Sequence, residues 1–309
     1  MLEDTYSTLQ KHHRRLKRDE KDAFLDAATL LLENWGYKVK RVATSSRLRS
    51  SVHLETEVKE AECIIMAHYD TPTMLPPWIE LLVRALGHTR PLLLTVAVGL
   101  VVFIPSRLPG ELFGWVTLIV GLSLLIFLIP NPKNLNDNTS GILGLLDLAQ
   151  QLEAFPAAKK KVKFVLVDNE EWMLIGATQL RKKWLEEGFE FDESRIICLD
   201  CIGWGDVPVI IRNGASHVGN ELIDVFQEEK PESQLINMKA MPLNDNFVFR
   251  DEGAILVSMM KKAWWKGGYY IPNIHSIFDK KLDLNAIKWV THNLLAYLKE
   301  EQVVRKRRA

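Results

Sequence analysis

Cysteine is scarce in this chain. Its three residues, Cys63, Cys198 and Cys201, all lie inside apolar runs. They cannot build a disulfide framework, which suits a reducing compartment. An excess of either charge is missing too. The 39 Lys+Arg balance 39 Asp+Glu, so no broad basic field points to nucleic acid, and the basic stretch 304–308 reads as a solvated tail. Residues 2–22 are polar and charged, with neither an apolar core nor a small-residue cleavage site. A secretory signal peptide is therefore not expected. Internal repeats and low-complexity segments are also lacking. What is present, at 309 residues, is enough chain to bury a large core in one domain or two.

The spacing over residues 5–36 predicts one helix, ended by Gly36. Residues 38–42 and 52–58 alternate as strands do. Cys63-Ile64-Ile65-Met66-Ala67 is a continuous apolar run ending in His68-Tyr69-Asp70-Thr71-Pro72. From residue 141 onward strands and helices alternate. Strands are expected at 161–168, 196–202, 207–212 and 254–259, with helices at 142–152, 173–187, 221–229 and 284–300. Uniformly apolar strands between helices imply an α/β fold with a mostly parallel central sheet covered on both faces.

One region breaks that pattern. No charged residue occurs between Arg90 and Arg107, or between Glu111 and Lys133, and both intervals are rich in Leu, Val and Ile. The stretch 106–111 between them reads as a turn. A membrane-spanning helix needs about 20 apolar residues, so the second interval qualifies and the first is short. The expected organisation is a catalytic domain made of residues 1–90 and 131–309, with an inserted hydrophobic helical hairpin at 91–130. The bland alternative is a pair of buried helices, or an arm packed on another copy in a homo-oligomer. Arg84, Arg90 and Lys133 flank the hairpin, which places the catalytic domain on the cytoplasmic side of a membrane, while Arg107 lies in the opposite turn.

In an open α/β sheet, ligands bind at the carboxyl ends of the strands. The polar residues found there are His68, Asp70, Glu170, Glu171 and Asp200, together with Asp137 in the turn Leu135–Gly141 and His275 in a loop rich in Pro, Gly and aromatics. Each has a plain alternative reading. Asp137 could be a helix cap, His68 a satisfied core histidine, and Glu170-Glu171 a solvated helix start. Asp200 is harder to dismiss, because it sits inside the run Ile196-Ile197-Cys198-Leu199-Asp200-Cys201-Ile202, where an unpaired charge costs several kcal/mol. Two divalent ions would account for the whole set. His68 and Asp200 would serve one, Glu171 and His275 the other, and Asp137 would bridge. Asp70 could then orient the His68 imidazole, and Glu170 would be free to move a proton.

In this order the segments Ala67-His68-Tyr69-Asp70-Thr71-Pro72, Asn136-Asp137-Asn138-Thr139-Ser140-Gly141, Asn169-Glu170-Glu171, Leu199-Asp200-Cys201-Ile202-Gly203 and His275-Ser276 resemble the M28 family of co-catalytic zinc aminopeptidases. Asn244-Asp245-Asn246-Phe247 is similar to that family's Ser-Asp-His-x-x-Phe segment near the substrate cleft, with Asn at its first and third positions. The resemblance implies a three-layer α/β/α sandwich, two Zn2+ (other divalent metals being alternatives) and hydrolysis of N-terminal peptide bonds by a metal-activated water. It implies His68, Asp137, Glu171, Asp200 and His275 as metal ligands and Glu170 as general base. The interval from His68 to Asp137 is long for the family, and the apolar hairpin accounts for the excess. Asp245 and the aromatics Trp264, Trp265, Tyr269 and Tyr270 are candidate substrate contacts, the aromatics equally fitting a membrane interface. The expected partners are a peptide substrate, apolar or delivered from the membrane, and membrane lipid along residues 91–130, with no nucleic acid. Two other functions share the scaffold: acyl transfer of the glutaminyl-cyclase kind with a single zinc, and a non-catalytic membrane-associated binding protein.

Overall fold

The structure, a computed structural model, describes residues 2–58, 61–103, 110–191, 195–238 and 244–308. The first finding is a break where one helix is expected. Helices α1 (Leu2–Leu9) and α2 (Arg18–Asn34) are separated by a short 3-10 turn and a loop. Arg15 causes the break. Its side chain is buried at 1 % exposure, and its main-chain N–H donates to Thr71 Oγ1 at 3.1 Å. Its guanidinium donates to the carbonyls of Tyr69 and His12 and to Thr139 Oγ1. A continuous helix could not deliver that cation to the carboxyl edge of the sheet. Helix α2 then restarts with the Glu20 carboxylate accepting the N–H groups of Leu16 and Lys17, and it ends at Gly36 with φ +71°.

The remaining helices are α3 (Pro77–Leu86), α4 (Pro91–Phe103), α5 (Gly110–Leu124), α6 (Gly141–Gln151), α7 (Pro156–Lys159), α8 (Ile175–Glu186), α9 (His217–Glu229) and α10 (Leu284–Arg308). The strands are β1 (Val39–Ser45), β2 (Ser50–Thr56), β3 (Cys63–His68), β4 (Val162–Val167), β5 (Arg195–Leu199), β6 (Val207–Arg212), β7 (Gln234–Asn237), β8 (Ile255–Lys262) and β9 (Tyr269–Tyr270). They form one sheet in the order β1-β2-β4-β3-β5-β8-β6-β7, with β9 added to β8. Its centre, β4-β3-β5-β8, is parallel. Its margins are mixed, β1·β2, β2·β4 and β6·β8 being antiparallel.

Alternation of side chains sorts the core into two layers. Ile65, Phe164, Ile197 and Val257 face one way and pack with α1, α2, α6, α9 and α10. Ile64, Met66, Val165 and Cys198 face the other way and pack with Ala177, Leu180 and Trp184 of α8. The result is the expected α/β/α sandwich. Register then fixes the site, because His68 pairs with Val167 and Met66 with Cys198. The carboxyl ends of β4, β3 and β5 therefore open side by side.

The apolar region stands apart from this core. Gly110–Leu128, made of α5 and one following 3-10 turn, is 19 residues long, with a window of mean hydropathy 2.2 in which no described side chain is buried. Helix α4 is apolar but shorter. Of the expected turn at 106–111, residues 106–109 lie outside the described residues. Trp78 Nε1 donates to Ser123 Oγ at 3.0 Å. On the return path, Thr73 bridges Pro130, and Met74 N–H donates to Ile129 O at 2.9 Å.

Candidate metal centre

Each polar residue of the cluster reaches the carboxyl edge by a different local device. His68 is the last residue of β3, and Asp200 directly follows β5. The turn before α6 is held from two sides. The Asp279 carboxylate accepts the N–H of Asn136 at 2.8 Å and of Asp137 at 3.0 Å. The Asn138 amide donates to Leu199 O at 2.9 Å and accepts from Gly141 and Cys201. The Asp137–Asn138 peptide is cis. Asn169, Cys201 and His275 adopt φ of +55°, +55° and +53°, left-handed backbone that costs free energy in residues with a Cβ and gathers at functional sites. Here it sits directly beside the carboxylates of β4 and β5 and at His275 itself.

The atoms then converge. His68 Nε2 lies 3.4 Å from Asp137 Oδ1 and 3.5 Å from Asp200 Oδ1. His275 Nε2 lies 3.1 Å from Asp137 Oδ2 and 3.3 Å from Glu171 Oε2. Asp137 thus turns a different oxygen to each imidazole. The His68 distances are long for hydrogen bonds. Donors bound at the ~2.0–2.2 Å typical of zinc stand roughly 3.3–3.6 Å apart across a tetrahedron, and the four separations lie in or close to that range. Among the described residues three groups could hold an ion: His68, Asp137 and Asp200; Asp137, Glu171 and His275; and His68, Glu170 and Glu171.

Buried polar atoms support the same fit. Among the described residues Asp137 Oδ2, Glu171 Oε1, Asp200 Oδ1 and His68 Nδ1 have no hydrogen-bond partner, and such orphans are costly unless a cation answers them. Burial works to lower the His68 pKa, but Glu170, Asp137, Asp200 and Asp70 outweigh it and hold the imidazole well above its ordinary value. Burial raises Glu170 and Glu171 well above the usual carboxylate range, neighbouring acids adding to it. Burial opposes ionisation of Asp137 too, yet His275 and His68 hold it low. The cluster therefore seeks positive charge, and two imidazoles with three carboxylates suit zinc.

Asp70 does more than the sequence suggests. Its Oδ1 stands 3.6 Å from His68 Nδ1, while its two oxygens accept the N–H of Glu170 at 3.0 Å and of Glu171 at 3.2 Å. One carboxylate thereby sets the turn that carries both glutamates. Asp245 joins the cluster, buried, with its pKa pushed by burial to about 7. Its neighbour Asn244 donates to Asp200 Oδ2 at 3.1 Å. Trp264, Trp265, Tyr269 and Tyr270 lie along the segment entering α4, where Trp264 and Trp265 N–H donate to Arg84 and Ala85 carbonyls. Sequence reading gave no role to Asp279, Asn138, Asn244 or Arg15. Asn138 and Asn244 carried a signal, one inside the Asp137 turn and the other beside Asp245.

Residues 126–298 match the family model for peptidase family M28. The chain belongs to that family. This M28 chain is accordingly a hydrolase of a peptidase family. Solved structures share its fold. They include the LapA aminopeptidase of Legionella pneumophila (13 % identity, TM-score 0.63, covering 96 % of this chain and 71 % of that one). Bacteroides thetaiotaomicron glutaminyl cyclase bound to N-acetylhistamine gives 15 %, 0.63, 96 % and 97 %. A Zn-dependent exopeptidase of Parabacteroides distasonis gives 12 %, 0.61, 96 % and 97 %. No curated protein sequence matches the M28 chain.

Proposed function

We propose that this M28 chain is a di-zinc aminopeptidase tethered to a membrane by residues 91–130. The observation that carries the reading is Asp137, one oxygen facing His68 and the other His275. His68 and Asp200 would hold one ion, Glu171 and His275 the second, and Asp137 both. Zinc bound there supplies Lewis acidity to the scissile carbonyl and charge to balance its developing oxyanion. Glu170 takes the proton of the attacking water and delivers it to the leaving amine, a task suited to a buried carboxylate of raised proton affinity. Asp245, with an unpartnered buried Oδ1, receives the free ammonium group of the peptide. Asp70 holds Glu170 and Glu171 at their stations.

The tether rests on the exposed apolar surface of Gly110–Leu128, and the flanking Arg84, Arg90 and Lys133 put the catalytic domain on the cytoplasmic side. Leu75 N–H donates to His275 O at 2.8 Å, next to the Met74–Ile129 bond. That link brings the hairpin's return path beside the site and favours apolar or membrane-delivered peptides.

The test is metal content and turnover on one detergent-solubilised sample. Two ions per chain and aminoacyl-substrate hydrolysis are expected. Glu170→Gln should keep the metal and lose at least about 100-fold in turnover; wild-type turnover in that variant sinks the mechanism. The likeness to glutaminyl cyclases supports a second reading, which one ion per chain with cyclisation of N-terminal Gln would establish instead.

A further inference from the structure

The loop between β8 and β9 is sewn to the segment that enters α4. Trp264 and Trp265 N–H donate to the Arg84 and Ala85 carbonyls at 3.0 and 2.9 Å. Tyr269 N–H donates to Thr89 Oγ1 and Ile271 N–H to His88 Nδ1, both at 3.0 Å. The Arg90 guanidinium donates to Lys266 O. The two backbones touch so closely that a Cβ at Gly268 would lie 2.4 Å from Leu86 O. The loop is thus fixed at the level of Pro91, the first residue of α4.

At that level the loop turns two tryptophans outward, Trp264 at 67 % and Trp265 at 60 % exposure. Adjacent indoles left in water are unusual unless a surface covers them, and Trp favours the boundary between headgroups and acyl chains. Trp265 also lines an open groove of about 750 Å³ with Arg90, with Leu92, Leu93 and Val96 of α4, and with Asn237 and Met238. Lys262 and Lys266 are exposed nearby. Among the described residues no carboxylate pairs with Arg90, Lys262 or Lys266, while Glu80 and Asp206 are engaged by Arg84 and Lys261. An apolar slot under an uncompensated cationic rim, continuous with an exposed apolar helix, matches an acyl chain beneath a phosphate.

We infer that the 264–268 loop and the first turns of α4 form a binding site for one anionic phospholipid, its acyl chain along Leu92 and Val96 and its phosphate at Arg90 and Lys266. Trp264 and Trp265 then lie in the headgroup region rather than in a substrate pocket. This rests on the tether proposed above and adds a second, lipid-selective contact to it.

The full chain is reconstituted into phosphatidylcholine vesicles with or without phosphatidylglycerol. Brominated acyl chains should quench wild-type emission more strongly than that of W264S/W265S. Native mass spectrometry should find one phosphatidylglycerol retained per chain, displaced in R90Q/K266Q, each lost cation weakening retention about fivefold. Equal quenching of wild type and the double Trp variant overturns the inference, as does equal retention of phosphatidylcholine. A raised KM for a short water-soluble peptide in W264S/W265S also overturns it, in favour of a substrate pocket. So does lipid-independent shielding of the indoles that grows with protein concentration, which marks an interface between copies. If the wild-type chain fails to stay with vesicles at all, the tether and the lipid site fall together. If it stays but quenching is equal, only the lipid site falls.

Discussion

Replacing Asp70 by Asn tests the centre through a residue that, in the proposed arrangement, touches no metal. Each Asp70 oxygen accepts one main-chain N–H, from Glu170 at 3.0 Å and Glu171 at 3.2 Å, and its carboxyl is held below the usual range, His68 and Lys21 overcoming burial. Both bonds are therefore made to a charged acceptor. Asn keeps one carbonyl and sets an NH2 group against the other N–H, so one bond is lost. Hydrogen bonds to charged groups contribute about 1.5–3 kcal/mol. If that energy positions Glu171 and Glu170, zinc affinity should fall roughly 10- to 150-fold at the site His275 and Glu171 share, in line with the ~10–100-fold typical of residues behind metal ligands. The assay is competition against a chromophoric chelator, with turnover read on the zinc-saturated protein. Asp70→Ala, which strands both N–H groups, should lose more. Zinc affinity of D70N indistinguishable from wild type would refute the reasoning.

Two further predictions concern the scaffold. His53 is fully buried, accepts Asp168 N–H at 3.3 Å and lies 3.0 Å from Thr44 Oγ1, and burial lowers its pKa from 6.5 to about 3. The unfolded chain binds a proton there between those values and the folded chain does not, so this contribution to stability falls as pH drops from 6.5 toward 3, by up to about 1.4 kcal/mol per pH unit. H53Q should flatten urea-denaturation midpoints over that window, and an unchanged slope would count against the assignment. Gly176, in the first turn of α8, lies so close to the end of β4 that a Cβ would lie 1.5 Å from Asp168 O. G176A should cost about 3 kcal/mol or more, and an unshifted thermal midpoint would show that the contact relaxes freely.

The sequence exposed the centre because charge at the end of an apolar strand is expensive. His68 and Asp200 announce themselves in that way, and their strands are found within a few residues of the expected bounds. Asp279 was invisible for the opposite reason. It acts on main-chain N–H groups more than a hundred residues earlier, and no local pattern encodes that. Arg15 sat in a polar, charged stretch of helical spacing, so one helix was expected where a buried guanidinium accompanies two. β7, Gln234–Asn237, is a half-buried edge strand too short and too polar for its alternation to stand out. Strand direction is silent in composition, and the antiparallel margins of the sheet were not foreseen.

The position of α4 and α5 between His68 and Asp137 also sets an order of events. A ribosome making this chain releases the first imidazole, then the whole apolar pair, and only afterwards the carboxylate that faces it. Glu171 and Asp200 follow, and His275, on a loop hydrogen-bonded to Leu75, arrives last. In the proposed arrangement the cluster therefore cannot be completed until the apolar pair has been made. A nascent chain halted before His275 should carry only a half-built cluster.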